Sequence, residues 1–267
     1  MKVWVAAFLL FVALASAIYV LRLVKTKEPK LAGSNMVERI KLKTKDNVSI
    51  VGDYYPPAGR AGGGLAHGLL LLHMMPADRT SWKSFAEKMQ SAPPTGGRSS
   101  WHVLAVDLRG HGESQGGPNG YKSFSDAEHQ ASRYDVEAGV EFLKAKGVSN
   151  LYLGGASIGA NLALQYLSDP PAGGPEVKAA FLLSPGLDYR GVKTEASASN
   201  LKSGQSVYYV ASRDDSYSAD TIQTLYDATP AGTAKETKFF EKAGHGTTIL
   251  EREPSFMDVI TSWLKGP

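Results

Sequence analysis

Ser157 stands in a pattern that could activate a serine hydroxyl. It lies between Gly155 and Gly159, directly after the apolar run Leu151–Leu153 and shortly before the leucine-rich run at 161–168. The first run is typical of a buried strand and the second of a helix. A strand-to-helix turn that lifts a serine clear of a sheet is tight, so the positions two residues away must lack bulk. The pattern therefore predicts that Ser157 is a nucleophile near a helix N-terminus, which favours a nearby negative charge.

A serine nucleophile needs a base to take its proton and a carboxylate to orient that base. For a serine on a turn of this kind, the acid and the histidine both follow it along the chain. His245, in the segment Lys-Ala-Gly-His-Gly, is the only histidine after Ser157, and it comes just past the last predicted strand. We therefore predict His245 as the general base.

The orienting acid is expected at the end of the strand at 206–211. Two adjacent carboxylates follow that strand, and we favour Asp215 because it opens the loop toward the next helix. Asp214 stays as the alternative acid. Asp188 ranks third because it follows an earlier strand.

Acyl chemistry also needs two backbone N–H groups aimed at the developing oxyanion. The first is predicted from Ile158, directly after the nucleophile. The second is predicted from Met75, in the Met74-Met75-Pro76 loop that follows the apolar strand at 68–73. Chemistry of this kind requires no metal ion and no organic cofactor, so none is predicted.

The rest of the chain predicts elements that would bring these residues together. An antiparallel pair of strands at 37–45 and 48–55 is followed by buried strands that alternate with helices. The later strands are predicted at 68–73, 101–107, 151–153, 177–183, 206–211 and 237–240, and the helices at 81–89, 125–146, 161–168, 217–228 and 256–264. This order indicates an α/β protein with a mainly parallel sheet covered on both faces, and with its functional residues at the carboxyl ends of the strands.

Composition narrows the class of protein further. The 267 residues suit one large domain, predicted at 37–267 after a linker at 25–36. The formal net charge of +3 is small and its basic residues are dispersed, so nucleic acid is not expected as a partner. The chain has no cysteine, which excludes disulfides, thiolate catalysis and cysteine metal sites.

Residues 1–24 predict a targeting segment. Lys2 precedes an apolar run at 3–14 and the small-residue site Ala15-Ser16-Ala17, a pattern typical of a signal peptide cleaved after Ala17. An uncleaved anchor is the alternative, because residues 3–21 carry no charge and basic residues follow them. The protein is therefore expected to be exported, to the periplasm or the medium, or to be anchored in a membrane by this segment.

Five motifs in order resemble the α/β-hydrolase superfamily. They are Leu-His-Met-Met-Pro-Ala-Asp-Arg-Thr-Ser-Trp at 72–82, Asp-Leu-Arg-Gly-His-Gly-Glu-Ser at 107–114, Gly-Ala-Ser-Ile-Gly at 155–159, Arg-Asp-Asp-Ser-Tyr at 213–217 and Ala-Gly-His-Gly at 243–246. The resemblance covers about residues 37–265. It implies that His73 and the Arg109-Gly110-His111-Gly112 segment are structural parts of loops around the site. The chain departs from the family at the oxyanion loop, where His73-Met74 replaces the usual His-Gly.

The resemblance also implies a sheet of the eight-stranded type. Many members of the superfamily carry a helical cap before the strand of the acid, so the length of that segment indicates whether a cap is present. Only about twenty residues, Gly186–Gln205, separate the strand predicted at 177–183 from the strand predicted at 206–211. This segment is too short for a helical lid domain. Members of this minimal form include dienelactone-hydrolase-like proteins and small carboxylesterases. Dienelactone hydrolases proper use a cysteine, which this chain lacks.

The leading expectation is a serine carboxylesterase that acts on small-molecule esters, with a preference for short acyl groups. A thioesterase, an amidase or peptidase, or an acyltransferase would use the same three residues. A catalytically silent binding domain with this fold is the alternative from another class. The oligomeric state stays open.

Overall fold

The computed structural model describes residues 36–57, 66–92 and 100–266. The predicted targeting segment at 1–24 and nearly all of the predicted linker at 25–36 lie outside the described residues. The described residues belong to one compact unit. In the described part of the chain, no helix has both the length and the apolar character needed to cross a bilayer.

The described residues form an eight-stranded sheet in the order β1-β2-β4-β3-β5-β6-β9-β10. Its strands are β1 Glu38–Lys43, β2 Ser49–Tyr55, β3 Ala66–Leu72, β4 Ser100–Val106, β5 Asn150–Ala156, β6 Glu176–Leu183, β9 Ser206–Ser212 and β10 Ala234–Phe240. Strand β2 pairs antiparallel with β1 and with β4, and all the other neighbours pair in parallel. The predicted mainly parallel sheet with an antiparallel start is confirmed.

Two faces of this sheet carry two apolar cores. The helices are α1 Lys83–Ser91, α2 Asp126–Gln130, α3 Arg133–Ala145, α4 Ile158–Ser168, α5 Glu195–Ser199, α6 Ser216–Ala228, α7 Thr248–Arg252 and α8 Phe256–Leu264. Helices α3, α4 and α6 pack on one face, and α1 and α8 on the other. Along β3, Leu70 and Leu72 point into the first core while Leu69 and Leu71 point into the second. A strand buried on both faces is therefore apolar at every position.

The long helix predicted at 125–146 is wrong in one respect, because the chain forms α2 and α3 with a break between them. The N–H groups of Ser132, Tyr134 and Asp135 donate to carbonyls three residues back instead of four. In an unbroken helix, His129 and Asp135 would face directions about 120° apart. The break lets both side chains be buried, with Asp135 bonded to Arg109.

The segment Gly186–Gln205 holds a small hairpin where a cap domain would stand. Strands β7 Asp188–Tyr189 and β8 Val192–Lys193 pair antiparallel, and the short helix α5 follows them. The hairpin turns at Arg190 and Gly191, which both have positive φ angles of 55° and 79°. The prediction of a fold without a large cap is confirmed.

Candidate active site

Ser157 occupies the turn between β5 and α4. Its φ and ψ of 54° and −121° are a combination that residues with a side chain rarely adopt. The Ser157 N–H donates to the Leu183 carbonyl at 2.9 Å, which continues the β5–β6 ladder to the turn itself. A Cβ on Gly155 would overlap the Gly159 carbonyl, and a Cβ on Gly159 would overlap the Leu72 carbonyl. Both glycines are thus needed for the close approach that the turn makes.

The sheet order brings the loops with the predicted site residues next to one another. Strands β3, β5, β6, β9 and β10 are parallel and adjacent, so their carboxyl ends share one edge. The loops after β3, β5, β9 and β10 carry Met75, Ser157, Asp215 and His245. The carboxyl edge of a parallel sheet is where α/β proteins bind their ligands.

His245 and Asp215 form a hydrogen bond at this edge. The imidazole Nδ1 lies 2.7 Å from Asp215 Oδ2, which leaves Nε2 as the nitrogen to face a substrate or nucleophile. Burial would raise the pKa of Asp215, but hydrogen bonds from His245 and Ser218 outweigh it and keep that pKa below its ordinary value. Asp215 is therefore an ionised acceptor at neutral pH, suited to orient the imidazole.

The backbone on either side of His245 is fixed by two further acceptors. Gly244 N donates to Asp214 Oδ1 at 3.1 Å, and Gly246 N donates to the buried Ser184 Oγ at 2.9 Å. Asp214 thus binds the backbone of the histidine loop, while its neighbour Asp215 binds the imidazole. The other carboxylate considered, Asp188, accepts from Gly191 N in the β7–β8 turn.

The two predicted oxyanion donors lie at the start of α4 and in the loop after β3. Ile158 is the first residue of α4, and the first N–H groups of a helix have no intrahelical acceptor. Met75 follows β3 and precedes a cis bond to Pro76. The Met74 sulfur packs against Gly246, so the β3 loop and the histidine loop touch each other. Met74, which replaces the usual glycine, therefore packs between the loops.

His73 and His111 lie buried beneath these loops. His73 Nε2 accepts from Leu108 N at 3.0 Å, so its Nδ1 carries the proton and donates to the Met74 carbonyl at 2.9 Å. The His111 ring stacks on Tyr121 at 4.1 Å and meets His73 edge-on. Burial lowers the pKa of each histidine to about 4. Both are therefore neutral at pH 7 and join the loops to one another.

Two buried arginines, Arg79 and Arg109, hold the loop at 107–114 through ion pairs. Asp107 binds the guanidinium of Arg79 and accepts from the N–H of Glu113 at 2.7 Å. Arg109 binds the carboxylates of Asp46 and Asp135. These contacts account for the charged residues of this motif without a role at the serine.

Tyr189 lies at the site although no sequence pattern indicated it. Its hydroxyl lies 3.1 Å from Ser218 Oγ, and its ring stands perpendicular to the His245 ring with 6.3 Å between centroids. The sequence feature that could have indicated its hairpin is the Arg190-Gly191 pair, which lies between two short alternating segments. Such a pair is only a weak signal for a hairpin turn.

Comparison with known proteins identifies the family. Residues 68–226, more than half of the chain, match the family model described as the alpha/beta hydrolase fold. The chain therefore belongs to the α/β-hydrolase family. No curated protein sequence matches it.

Solved structures share the fold at low sequence identity. An esterase from Pyrococcus furiosus, Pf2001, is 18% identical with a TM-score of 0.66, over 91% of this chain and 96% of that one. Dienelactone hydrolase from Anabaena variabilis is 14% identical with a TM-score of 0.62, over 86% and 95%. The esterase RhEst1 from Rhodococcus is 18% identical with a TM-score of 0.62, over 85% and 98%.

Proposed function

We propose that this protein is a serine carboxylesterase that cleaves small or short-acyl esters through an acyl-enzyme on Ser157. The observation that carries the proposal is the 2.7 Å hydrogen bond between His245 and Asp215 at the sheet edge where the strained turn presents Ser157. A base oriented by an ionised carboxylate, beside a serine at a helix N-terminus, is the machinery of acyl transfer.

In the acylation step, Ser157 Oγ attacks the ester carbonyl while His245 Nε2 takes the hydroxyl proton. Asp215 keeps the other ring nitrogen protonated and stabilises the imidazolium that forms. The N–H groups of Ile158 and Met75 donate to the oxyanion of the tetrahedral intermediate. The C–O bond to the alcohol then breaks, and the imidazolium gives its proton to the departing oxygen.

Water completes the cycle by the same route. His245 takes a proton from water as its oxygen attacks the acyl-enzyme carbonyl, and the second intermediate collapses with release of the acid. The proton returns to Ser157 Oγ. No other reactant is needed.

A preference for short acyl groups is supported by what stands in place of a cap. The rings of Tyr189 and Tyr217 meet at 5.6 Å, and both lie so close to Gly186 that a Cβ there would contact each of them. Of this packed aromatic pair, Tyr189 lies against the His245 ring. The segment that carries Tyr189 has no helical lid domain that could enclose a long acyl chain. Two of the structures with the same fold are called esterases, which agrees with the proposed reaction class.

The test is a series of p-nitrophenyl esters from acetate to palmitate, with Ser157→Ala as control. We expect turnover that is highest for the short chains and that Ser157→Ala abolishes without loss of the fold. A thioester and an anilide of the best acyl group, measured beside the ester, separate esterase from thioesterase and amidase activity. Retained turnover in Ser157→Ala would refute the assignment, and no turnover of any ester by folded protein would favour a silent binding domain.

We further propose that the protein is exported or held at a membrane by residues 1–24. The support is the sequence, in which an uncharged run at 3–21 is followed by basic residues such as Arg22 and Lys25. Fractionation of expressing cells, with intact mass measurement, tests this. A mature N-terminus after Ala17 indicates a cleaved signal peptide, an intact chain in the membrane fraction indicates an anchor, and an intact chain in the cytosol would contradict both.

A further inference from the structure

Ser184, directly after β6, has a backbone conformation that a serine rarely adopts. Its φ of 52° lies in the left-handed region, which favours glycine. Among the described residues other than glycine, Asn47, Ser157 and Arg190 are the others with a positive φ, and Asn47 and Arg190 are exposed residues of hairpin loops. Ser157 and Ser184 are buried. Because a strained backbone persists only where the surrounding structure imposes it, the contacts of Ser184 indicate its role.

Backbone hydrogen bonds place Ser184 between the nucleophile and the acid. The carbonyl of the preceding residue, Leu183, accepts from Ser157 N at 2.9 Å. The N–H of Ser184 donates to the Val210 carbonyl at 2.7 Å, in β9, the strand that leads to Asp215. The end of β6 is therefore bonded on one side to the turn of the nucleophile and on the other side to the strand of the acid.

The side chain of Ser184 reaches the loop of the base. Its fully buried Oγ accepts at 2.9 Å from the N–H of Gly246, the residue directly after His245. Gly246 has a positive φ of 59°, and the Met74 sulfur lies where a Cβ on this glycine would stand. The peptide that follows the base is thus held by the Ser184 hydroxyl on one side and packed against Met74 on the other.

The remaining side-chain anchors of the histidine loop act before His245. The two backbone N–H groups that precede this residue donate to Ser212 Oγ at 2.7 Å and to Asp214 Oδ1 at 3.1 Å. Both acceptors belong to the end of β9 or to the loop after it, on the side of the acid. Ser184 instead binds the loop after His245 and lies on the strand end that also bonds Ser157. Its contact therefore governs how far the base stands from the nucleophile.

Loss of this acceptor would shift the loop. A buried backbone N–H without a partner keeps the full cost of its desolvation, so Gly246 would move toward another acceptor. His245 would move with it, because the two residues share a peptide bond. A misplacement of about 1 Å at a reacting group is enough to slow catalysis by about a hundredfold.

We propose that Ser184 is a positioning residue, which holds the histidine loop so that His245 Nε2 faces Ser157 Oγ. This inference rests on the proposed serine-esterase function. It gives the strained backbone after β6 a role, which is to present a buried hydroxyl to the loop of the base. It also adds to the site a side chain that touches neither the substrate nor the reacting atoms.

The test compares Ser184→Ala, Ser184→Gly and Ser212→Ala in the full-length chain. The two Ser184 variants both remove the acceptor of Gly246 N, but glycine adopts a positive φ without strain. Ser212→Ala is the matched control, because it removes the acceptor of Ala243 N in the same loop and leaves the bond at Gly246 in place. The readouts are kcat and KM for p-nitrophenyl butyrate, the rate constant for labelling by a fluorophosphonate, and Tm.

We expect both Ser184 variants to lower kcat and the labelling rate by about tenfold to a hundredfold. Their KM should stay close to that of the wild type, because the lost contact orients the base and does not bind substrate. Ser184→Gly should melt above Ser184→Ala with the same loss of kcat, and it carries the test if Ser184→Ala does not fold. Ser212→Ala should lose Tm and yet label at close to the wild-type rate.

Labelling of the folded Ser184 variants at the wild-type rate would overturn the inference. Recovery of the rate together with Tm in Ser184→Gly would also overturn it, and so would a loss of rate in Ser212→Ala as large as that in Ser184→Ala. Either result would make the hydroxyl a structural support of the loop alone. Failure of the proposed function looks different: the folded wild type would then label no faster than Ser157→Ala.

Discussion

Replacing Ser157 by glycine should stabilise the protein relative to replacing it by alanine. The φ and ψ of 54° and −121° at this position cost a residue with a Cβ about 1–3 kcal/mol. Glycine adopts them without that strain, but it loses about 0.5–1 kcal/mol more backbone entropy on folding than alanine. The difference leaves Ser157→Gly more stable than Ser157→Ala by about 0.5–2 kcal/mol. Because both variants lack the hydroxyl, its contacts cancel in the comparison.

Urea unfolding at pH 7 and thermal melts of the two variants measure this difference. For a domain of this size, about 2–4 °C of Tm corresponds to each kcal/mol, so Ser157→Gly should melt about 1–8 °C above Ser157→Ala. Ser262, an exposed residue within α8, provides the matched control. There the order should reverse, with glycine less stable than alanine by about 1 kcal/mol. A Ser157→Gly variant no more stable than Ser157→Ala would refute the claim that the turn stores strain.

Two further predictions concern the acid and a buried histidine. Asp215→Asn should lower kcat/KM by about 10³- to 10⁴-fold because the amide favours the wrong imidazole tautomer. Asp214 accepts from Gly244 N and pairs with the guanidinium of Arg252 at 3.8 Å rather than with the imidazole, so Asp214→Asn should lower kcat/KM by less than about tenfold. Esterase kinetics measure both effects, and the opposite order would contradict the pairing of Asp215 with His245. Burial lowers the pKa of His111 to about 4 in the folded protein, whereas in the unfolded chain this imidazole has its ordinary pKa. At a pH between the two pKa values, the unfolded state binds a proton at His111 that the folded state does not. The free energy of unfolding should therefore fall as the pH drops through this range. His111→Phe keeps the stack on Tyr121 and should remove about 2 kcal/mol of the stability loss between pH 7 and pH 5. Urea unfolding at the two pH values measures this loss, and an equal loss in the variant and the wild type would contradict the prediction.

Much of the fold follows from the sequence because its signals are local. Apolar runs such as Leu69–Leu72 are strands buried on both faces, and the glycines around Ser157 have the backbone contacts that a tight turn implies. The division of α2 from α3 does not follow from periodicity, because it depends on burying His129 and Asp135 against different partners.

The residues that meet at the candidate active site are predicted less completely than the fold. Chain order selects His245, and position in the turn favours Asp215 over Asp214. In the structure, Asp215 is the carboxylate that lies 2.7 Å from the His245 ring nitrogen. Tyr189 escapes notice because its hairpin has strands of two residues and its position depends on the distant Asn161. Contacts between residues so far apart along the chain produce no periodic pattern in the sequence.

The most direct test of the central claim is to find where the acyl-enzyme forms. The wild type is treated with a fluorophosphonate, and the adduct is located by intact mass measurement and peptide mapping. We predict one adduct per chain, on Ser157, which forms far more slowly in His245→Ala and is absent in Ser157→Ala. Ester turnover by a protein with no adduct on Ser157, or an adduct on another residue, would contradict the account.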